Sequence, residues 1–184
     1  MNSIPAFDHT WTLFLDRDGV INQRVHGDYV RDWSGFHFAP GVLEALRRCA
    51  TRFGIIVVVS NQQGVGKGYM RSEAVDLLHR QMLEAVAAAG GRIDRVYFCP
   101  DLASQPGNCR KPAPTMALQA RADFPAIDFG RSVMVGDTAS DMQFGRHLGM
   151  TTVWINTEEA PPDPALIDIE AQSLWHFVLM IPPA

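Results

Sequence analysis

The fold is decided by the stretch Trp11-Thr-Leu-Phe-Leu-Asp16-Arg-Asp18-Gly19-Val20, where an apolar run leads into two carboxylates and a glycine. The apolar run predicts a buried strand. Successive side chains of a strand point to opposite faces, so Asp16 and Asp18 can face one point only if the chain leaves strand geometry after Asp16, which Gly19 makes easier. Two carboxylates held this closely repel each other unless a cation lies between them. The stretch therefore predicts a strand that ends in a cation-binding turn.

A hard cation such as Mg2+ suits this turn, because it takes oxygen ligands in a tight octahedron and usually shares them with a substrate phosphate. One Asp can then act as the nucleophile while the other moves protons, which is the division of roles that phosphoryl transfer needs. An isolated Asp-x-Asp pair also fits a solvated turn after a core strand, so the rest of the chain must decide.

Three further segments end in polar residues suited to the same chemistry. The β-branched run 54–59 leads into the hydroxyl of Ser60, which can donate to a phosphate oxygen. The run 131–135 leads into Gly136-Asp-Thr-Ala-Ser-Asp141, and a helix that begins near Thr138 would turn Asp141 back toward Asp137. In Cys109-Arg-Lys-Pro112, the Lys ammonium suits the transferring group and the Arg fork suits a second substrate anion.

The pattern of the whole chain predicts an α/β fold. Strands near 11–15, 54–59, 93–98, 131–135 and 151–155 alternate with helical stretches that include 40–53 and 72–89, while Pro114 can open another helix. We expect one domain over residues 1–184, with a Rossmann-like open, mostly parallel sheet and helices on both faces. Ligands of such sheets bind outside the carboxyl ends of the strands. The polar segment 21–39 predicts a short flap over the site with no core role, and no insertion is long enough for a large cap domain.

Between Trp11 and Ile155, the chain carries four motifs in the order Asp-x-Asp, Ser, Lys and Gly-Asp-x-x-x-Asp. This set of motifs resembles that of the haloacid dehalogenase (HAD) phosphohydrolase superfamily. The resemblance implies that Asp16 is the nucleophile, forming an aspartyl-phosphate, and that Asp18 is the acid that later activates water. It also implies a set of further roles: Asp16, the carbonyl of Asp18 and Asp137 hold Mg2+, Asp141 orients the metal shell, and Ser60 and Lys111 bind the phosphoryl group.

Within the superfamily, the chain resembles the histidinol-phosphatase-like branch, and especially the family of D-glycero-D-manno-heptose 1,7-bisphosphate phosphatases. The residues behind this resemblance are Asp16–Asn22, Gly27–Val30, Ser60–Gly68, Cys109–Met116 and Gly136–Gln143. It implies removal of the 7-phosphate of a phosphosugar on the path to nucleotide-activated heptose, a lipopolysaccharide precursor. The matching substrate positions are Gly27, Asp28, Tyr29, Asn61, Gln62, Gln63, Arg110 and Thr138, and Lys67 in the neighbouring loop can also reach the substrate.

Three alternatives stay open. A histidinol-phosphate phosphatase would bind a cationic substrate and favour an acidic pocket over Arg110. A polynucleotide 3'-phosphatase is disfavoured by the acidic balance of the chain. A non-catalytic phosphate-binding module would not need both a nucleophile and an acid.

The chain departs from its relatives between Cys99 and Cys109. Relatives often carry a zinc loop with four Cys and His ligands, whereas the corresponding positions here are Cys99, Asp101, Gly107 and Cys109. Structural zinc is almost always four-coordinate, so this incomplete set predicts no structural zinc. Three cysteines, widely spaced, also argue against a disulfide, and we expect Cys99 and Cys109 to be buried or loop thiols.

Composition excludes several classes of protein. The chain has 184 residues, 47% of them hydrophobic, which suits a soluble globular domain with ample core. Its formal charge of -4 lacks the dense basic block that nucleic acid binding needs. No basic leader with an apolar core and no apolar stretch of about 20 residues is present, so we expect no membrane partner and a cytoplasmic location. We expect a monomer that binds a small phosphorylated substrate.

Overall fold

The computed structural model describes residues 4–157 and 161–182. Over these residues, the strands are β1 (Thr12–Leu15), β2 (Ile55–Asn61), β3 (Arg95–Cys99), β4 (Ser132–Gly136), β5 (Thr151–Ile155) and β6 (Ile169–Ala171). The α-helices are α1 (Val42–Arg52), α2 (Ser72–Ala88), α3 (Thr115–Asp123), α4 (Ala139–Leu148) and α5 (Leu174–Met180). Short 3-10 helices lie at Trp33–Gly35, Phe129–Arg131 and Pro164–Leu166.

The strands form one parallel sheet in the order β3-β2-β1-β4-β5-β6. The strand β1 is central, and Leu15 near its end pairs with Val58 on one side and Val135 on the other. The chain builds one side of β1 first and then crosses to the other, so the strand order reverses beside β1. Such a switch point opens a crevice at the carboxyl ends of the strands, and this is where Asp16 follows β1.

Helices cover both faces of the sheet. Leu13 and Leu15 belong to a hydrophobic cluster with residues of α1, α2 and α5. Phe14, between them, points to the other face and packs in a second cluster with residues of α3 and α4. Because the sheet is buried on both faces, the central strands are continuous apolar runs rather than alternating ones.

The predicted fold class is therefore confirmed, without a large cap among the described residues. All five predicted strands form, each within two residues of its predicted bounds. The strand β6 was missed because three residues are too few to carry a periodic pattern. The apolar run 174–181 forms the helix α5. None of the helices described is long and apolar enough to cross a membrane.

The flap segment 21–39 corrects one prediction, because it does contribute to the core. Ile21, Val30 and Phe36 are buried, and Trp33 stacks on Phe36 with the ring centroids 5.0 Å apart. An isolated bridge between Asn22 and Phe38 ties the two ends of the segment together. Burial of these apolar residues anchors the segment and leaves its polar part, residues 24–29, at the edge of the sheet.

Candidate active site

The turn after β1 brings the predicted carboxylates to one edge. The backbone N–H of Asp16 donates to the carbonyl of Val135 in β4 at 2.9 Å, which continues the sheet pairing to Asp16. Gly19 then adopts φ +91°, a left-handed conformation that residues with a Cβ rarely adopt. A Cβ on Gly19 would also overlap the carboxylate of Asp137. Only glycine therefore lets this turn approach the end of β4 so closely.

Lys111 lies between two of the carboxylates. Its Nζ is 2.8 Å from Asp16 Oδ1 and 2.7 Å from Asp141 Oδ1, and it also donates to the carbonyl of Val59 at 2.6 Å. The ammonium is almost fully buried, and burial opposes its charge, but Asp141 and Asp16 outweigh that effect and raise the pKa of Lys111. Lys111 is therefore a fixed positive charge beside Asp16.

Asp16, Asp137 and Asp141 form a buried carboxylate cluster. Each offers an oxygen, and these oxygens all lie within 4.8 Å of one another. Burial raises the pKa of Asp16 and of Asp137, and the repulsion among the three carboxylates raises both further. Asp137 Oδ2 is buried without a hydrogen-bond partner. A buried, unpaired oxygen among crowded carboxylates fits the ligand set of a hard cation.

Asp141 is held by the start of α4, as the sequence predicted. Thr138 is the N-cap of a capping box: the Asp141 N–H donates to Thr138 Oγ1 at 3.4 Å, and the Thr138 N–H donates to Asp141 Oδ2 at 3.0 Å. The Thr138 hydroxyl also donates to Asp141 Oδ2 at 2.7 Å. The other oxygen of Asp141 is left for Lys111 and the cluster.

Asp18 lines the cavity, and several hydrogen-bond donors hold its carboxylate in place. Arg17 Nη2 is 2.9 Å from both of its oxygens, Asn22 Nδ2 is 2.9 Å from Oδ1, and Gln62 Nε2 is 2.8 Å from Oδ2. Burial raises the pKa of Asp18, but these donors outweigh it and the net pKa is lowered. A quarter of the side chain is exposed, so a substrate can reach it.

Two residues at the end of β2 lie deeper than the sequence indicated. Gln62 was expected to bind substrate, but it is 1% exposed and donates to Asp18 and to Ser60 Oγ, the latter at 2.8 Å. That expectation is corrected: Gln62 does not line the cavity and instead holds the Asp18 carboxylate. Ser60 is equally buried. Asn61 does line the cavity, and its amide exchanges hydrogen bonds with the backbone of Lys111 at 2.9 and 3.3 Å.

The flap and the loop after β2 close a cavity of about 460 Å³ over these groups. Tyr29 of the flap lies 6.0 Å from the ring of Tyr69, and Lys67 lies 5.6 Å from the Tyr29 ring centroid. Of the expected substrate residues, Gly27, Asp28, Tyr29, Asn61, Gln63, Arg110 and Thr138 line the cavity. The Nη1 atom of Arg110 is buried without a hydrogen-bond partner, so this guanidinium has capacity for a ligand.

The loop from Cys99 to Cys109 corrects the prediction of free thiols. The loop turns back on itself and brings the two Cα atoms to 5.6 Å, where the cysteines form a disulfide. Asp101 Oδ2 accepts the backbone N–H of Cys109 at 3.0 Å. Counting the cysteines missed this pair because the third, Cys49, is buried separately in α1. The disulfide closes the loop immediately before Arg110.

Four residues around the site were not identified from the sequence: Arg17, Asn22, Arg24 and His79. Arg24 Nη2 is 2.6 Å from Asp137 Oδ1 and 3.3 Å from the carbonyl of Asp18. Arg17 is almost fully buried and contacts His79 of α2 at 3.1 Å. Arg17 stands inside the Asp-x-Asp stretch, which could have drawn attention to it, but no local pattern marks His79 as its partner.

Comparison with known proteins agrees with this geometry. The family described as HAD-hydrolase-like matches residues 108–173. A D-glycero-alpha-D-manno-heptose-1,7-bisphosphate 7-phosphatase of Mycobacterium tuberculosis is 37% identical over 175 residues, covering 94% of this chain and 92% of that protein. A D-glycero-beta-D-manno-heptose-1,7-bisphosphate 7-phosphatase of Vibrio cholerae is 40% identical over 147 residues, covering 76% and 77% of the two chains.

Among solved structures, a D,D-heptose 1,7-bisphosphate phosphatase from B. bronchiseptica, complexed with magnesium and phosphate, has the same fold. The TM-score is 0.82 at 24% identity, over 93% of this chain and 97% of that one. The identity and coverage of the two sequence relatives carry the family assignment. This chain belongs to the heptose-1,7-bisphosphate 7-phosphatase family of the HAD-like hydrolases.

Proposed function

We propose that this protein is a Mg2+-dependent phosphatase that removes the 7-phosphate of D-glycero-D-manno-heptose 1,7-bisphosphate through an aspartyl-phosphate on Asp16. One observation carries the chemistry: the Asp16 carboxylate contacts the Lys111 ammonium and clusters with Asp137 and Asp141, and it lines the same cavity as Asp18. The names of the relatives support the substrate.

In the proposed reaction, an oxygen of Asp16 attacks phosphorus and the bond from phosphorus to the sugar oxygen breaks. The electron pair leaves on the sugar oxygen, which takes a proton from the carboxyl of Asp18. The donors around Asp18 lower its pKa, so Asp18 gains this proton when the anionic substrate phosphate binds beside it and favours the neutral form. Asp18, now an anion, then takes a proton from water as that water attacks the aspartyl-phosphate. Inorganic phosphate leaves and Asp16 is restored. Lys111 stays paired with Asp16 throughout and offers its positive charge to the phosphoryl oxygens.

Mg2+ would be held by Asp16, Asp137 and the carbonyl of Asp18, with Asp141 orienting its surroundings. When bound, the ion neutralises charge on the phosphoryl oxygens and separates the crowded carboxylates. The unpaired Oδ2 of Asp137 supports this assignment. Arg24 donates to Asp137 and to the Asp18 carbonyl, so its guanidinium must move when the ion binds.

Recognition of the rest of the substrate would fall to the cavity wall. Arg110 and Lys67 supply positive charge away from the reacting phosphate, which suits a substrate with a second phosphate. Tyr29 offers a ring face to the sugar between them. A cationic substrate such as histidinol phosphate would be repelled by the same residues.

The test is phosphate release with Mg2+ from both heptose 1,7-bisphosphate anomers, histidinol phosphate, other sugar phosphates and a 3'-phosphorylated oligonucleotide. The Asp16→Asn variant is the control, and we expect it to fold while losing at least about 1,000-fold in kcat. A clear preference for a heptose anomer supports the proposal. Activity that is best on histidinol phosphate, or spread evenly over the panel, would leave the phosphatase chemistry and remove the heptose substrate.

We also propose that the enzyme acts as a monomer of one domain. Every residue to which we assign a role lies in this one chain, which supports a site that is complete without a partner. Light scattering coupled to size-exclusion chromatography at assay concentration would test the monomer, and a dimer peak would exclude it.

A further inference from the structure

A buried chain of contacts connects α2 to the proposed acid. Arg17 is 1% exposed, and its Nη2 donates to both oxygens of Asp18 at 2.9 Å. Its Nη1 lies 3.1 Å from Nε2 of His79, which is 5% exposed. The His79 ring also packs edge-on against Phe98 of β3, with the centroids 5.6 Å apart. Both ends of the contact are therefore held by packed side chains.

The chemistry of the contact sets the state of His79. A guanidinium has only donors, so Nε2 of His79 must accept the hydrogen bond and the ring proton must be on Nδ1. Burial lowers the pKa of His79 to about 3, and the charge of Arg17 lowers it as well. The imidazole is thus a neutral acceptor that takes up one of the buried donors of Arg17.

A buried guanidinium needs such acceptors, because a buried donor without a partner costs free energy. His79 fills that need on the side of Arg17 away from Asp18 and leaves Nη2 aimed at the carboxyl group. Arg17 Nε already lacks a hydrogen-bond partner, so without His79 a second buried nitrogen, Nη1, would lose its acceptor. If Arg17 turned toward another acceptor, Nη2 would move away from Asp18. Asn22 and Gln62 hold the same carboxyl, but each contacts a single oxygen.

We infer that His79 is a positioning residue of the phosphatase reaction, which acts through Arg17 to hold the carboxyl of Asp18 where it donates a proton to the leaving sugar oxygen. The inference rests on the proposed function, in which Asp18 is the acid. It concerns only the orientation of Asp18, and it holds for any alkyl phosphate substrate.

Leaving-group dependence separates this role from a general structural one. A sugar alkoxide needs a proton from Asp18 as it leaves, whereas p-nitrophenolate is a far weaker base and leaves without one. The ratio kcat/KM covers the steps up to release of this first product, so later hydrolysis of the aspartyl-phosphate does not affect it. A misplaced Asp18 should therefore lower kcat/KM for the sugar phosphate and spare p-nitrophenyl phosphate.

The variants are His79→Gln, His79→Asn and His79→Leu. The Gln side chain can bring an acceptor to the position of Nε2, whereas Asn is too short and Leu has no acceptor. We expect Asn and Leu to lower kcat/KM roughly 10- to 100-fold on the best alkyl phosphate, with p-nitrophenyl phosphate within about threefold of wild type. We expect Gln to restore most of the alkyl phosphate activity. Val75→Ala, at another buried position of α2, is the control for packing and should change both substrates equally.

A spectroscopic measurement on the wild type needs no variant to fold. Two-dimensional 15N spectra of the ring at pH 6 should show His79 neutral with its proton on Nδ1. A protonated ring, or a proton on Nε2, would overturn the inference. So would equal losses on the alkyl and aryl substrates in the His79 variants, or a Gln variant no better than Asn. If the wild type released phosphate from no substrate, the proposed function itself would fail, which is a different result from an active wild type with unselective His79 variants.

Discussion

Replacing Gly19 by alanine tests whether the metal site depends on the close approach between the first turn and β4. A Cβ at this position would overlap Oδ2 and Cγ of Asp137. Asp137 is fully buried and paired with Arg24, so the carboxylate can avoid the methyl group only by rotating out of its present position. The rotation removes an oxygen from the proposed Mg2+ site.

The Gly19→Ala change should have two separate effects, one on stability and one on the reaction rate. The backbone at Gly19 has φ +91°, and an alanine there costs about 1–2 kcal/mol of stability whatever the space around it. The displaced carboxylate adds a functional effect, because a shift of about 1 Å at a reacting centre can cost roughly 100-fold in rate. We therefore expect Gly19→Ala to lose about 100-fold in kcat.

Gly149→Ala is the matched control. Gly149 has φ +77° and nothing within 4 Å of an added Cβ, so alanine there carries the backbone cost alone. It caps the far end of α4, about 15 Å along the helix from the site. Both variants should lower the melting temperature by roughly 2–8 °C. Only Gly19→Ala should weaken Mg2+ binding, measured by isothermal titration calorimetry, and lower phosphate release. Mg2+ affinity and kcat that match those of Gly149→Ala would refute the reasoning.

Three further predictions follow from buried or charged groups. Reducing the disulfide between Cys99 and Cys109 should lower the free energy of unfolding by about 3 kcal/mol, measured by urea titration with and without dithiothreitol, and Cys109→Ser should show no such response. Burial lowers the pKa of His79 in the folded state to about 3, from an ordinary value of 6.5. The unfolded state therefore binds more protons between these two values, and stability is lost as pH falls from about 6.5. In urea titrations at pH 7 and 4.5, His79→Gln should lose less stability than wild type, by up to about 1.4 kcal/mol per pH unit, and parallel losses would contradict the assignment. Lys111→Met should lower kcat roughly 100- to 1,000-fold. Lys67→Met, at the outer wall of the cavity, should raise KM for the bisphosphate and leave kcat unchanged. Equal effects of the two variants on kcat would contradict the roles assigned to the two cations.

The sequence predicted most of the fold because strands and helix starts are encoded by residues that are neighbours in the chain. Each of the five strands found from the sequence is an apolar run of at least four residues, and the start of α4 is encoded by Thr138 and Asp141 three residues apart. The strand β6 has only three residues and carries no such pattern. The core role of Val30 and Phe36 was missed because their neighbours in the chain are mostly polar, and only the tertiary packing of the flap shows that these two residues are buried.

The candidate site was likewise predicted in part, where its residues belong to local patterns. By itself, the sequence identified Asp16, Asp18, Lys111, Asp137 and Asp141, because each stands in a short pattern at the end of a strand or the start of a helix, and a parallel sheet brings such ends together. Only the tertiary structure paired Arg17 with His79, which is 62 residues away, and Arg24 with Asp137, which is 113 residues away. It also buried Gln62 beneath Asp18 and joined Cys99 to Cys109. The physical reason is that strand propensity, capping and turn chemistry act between near neighbours in the chain, whereas a buried guanidinium or thiol takes whichever partner the packing of distant elements brings within reach.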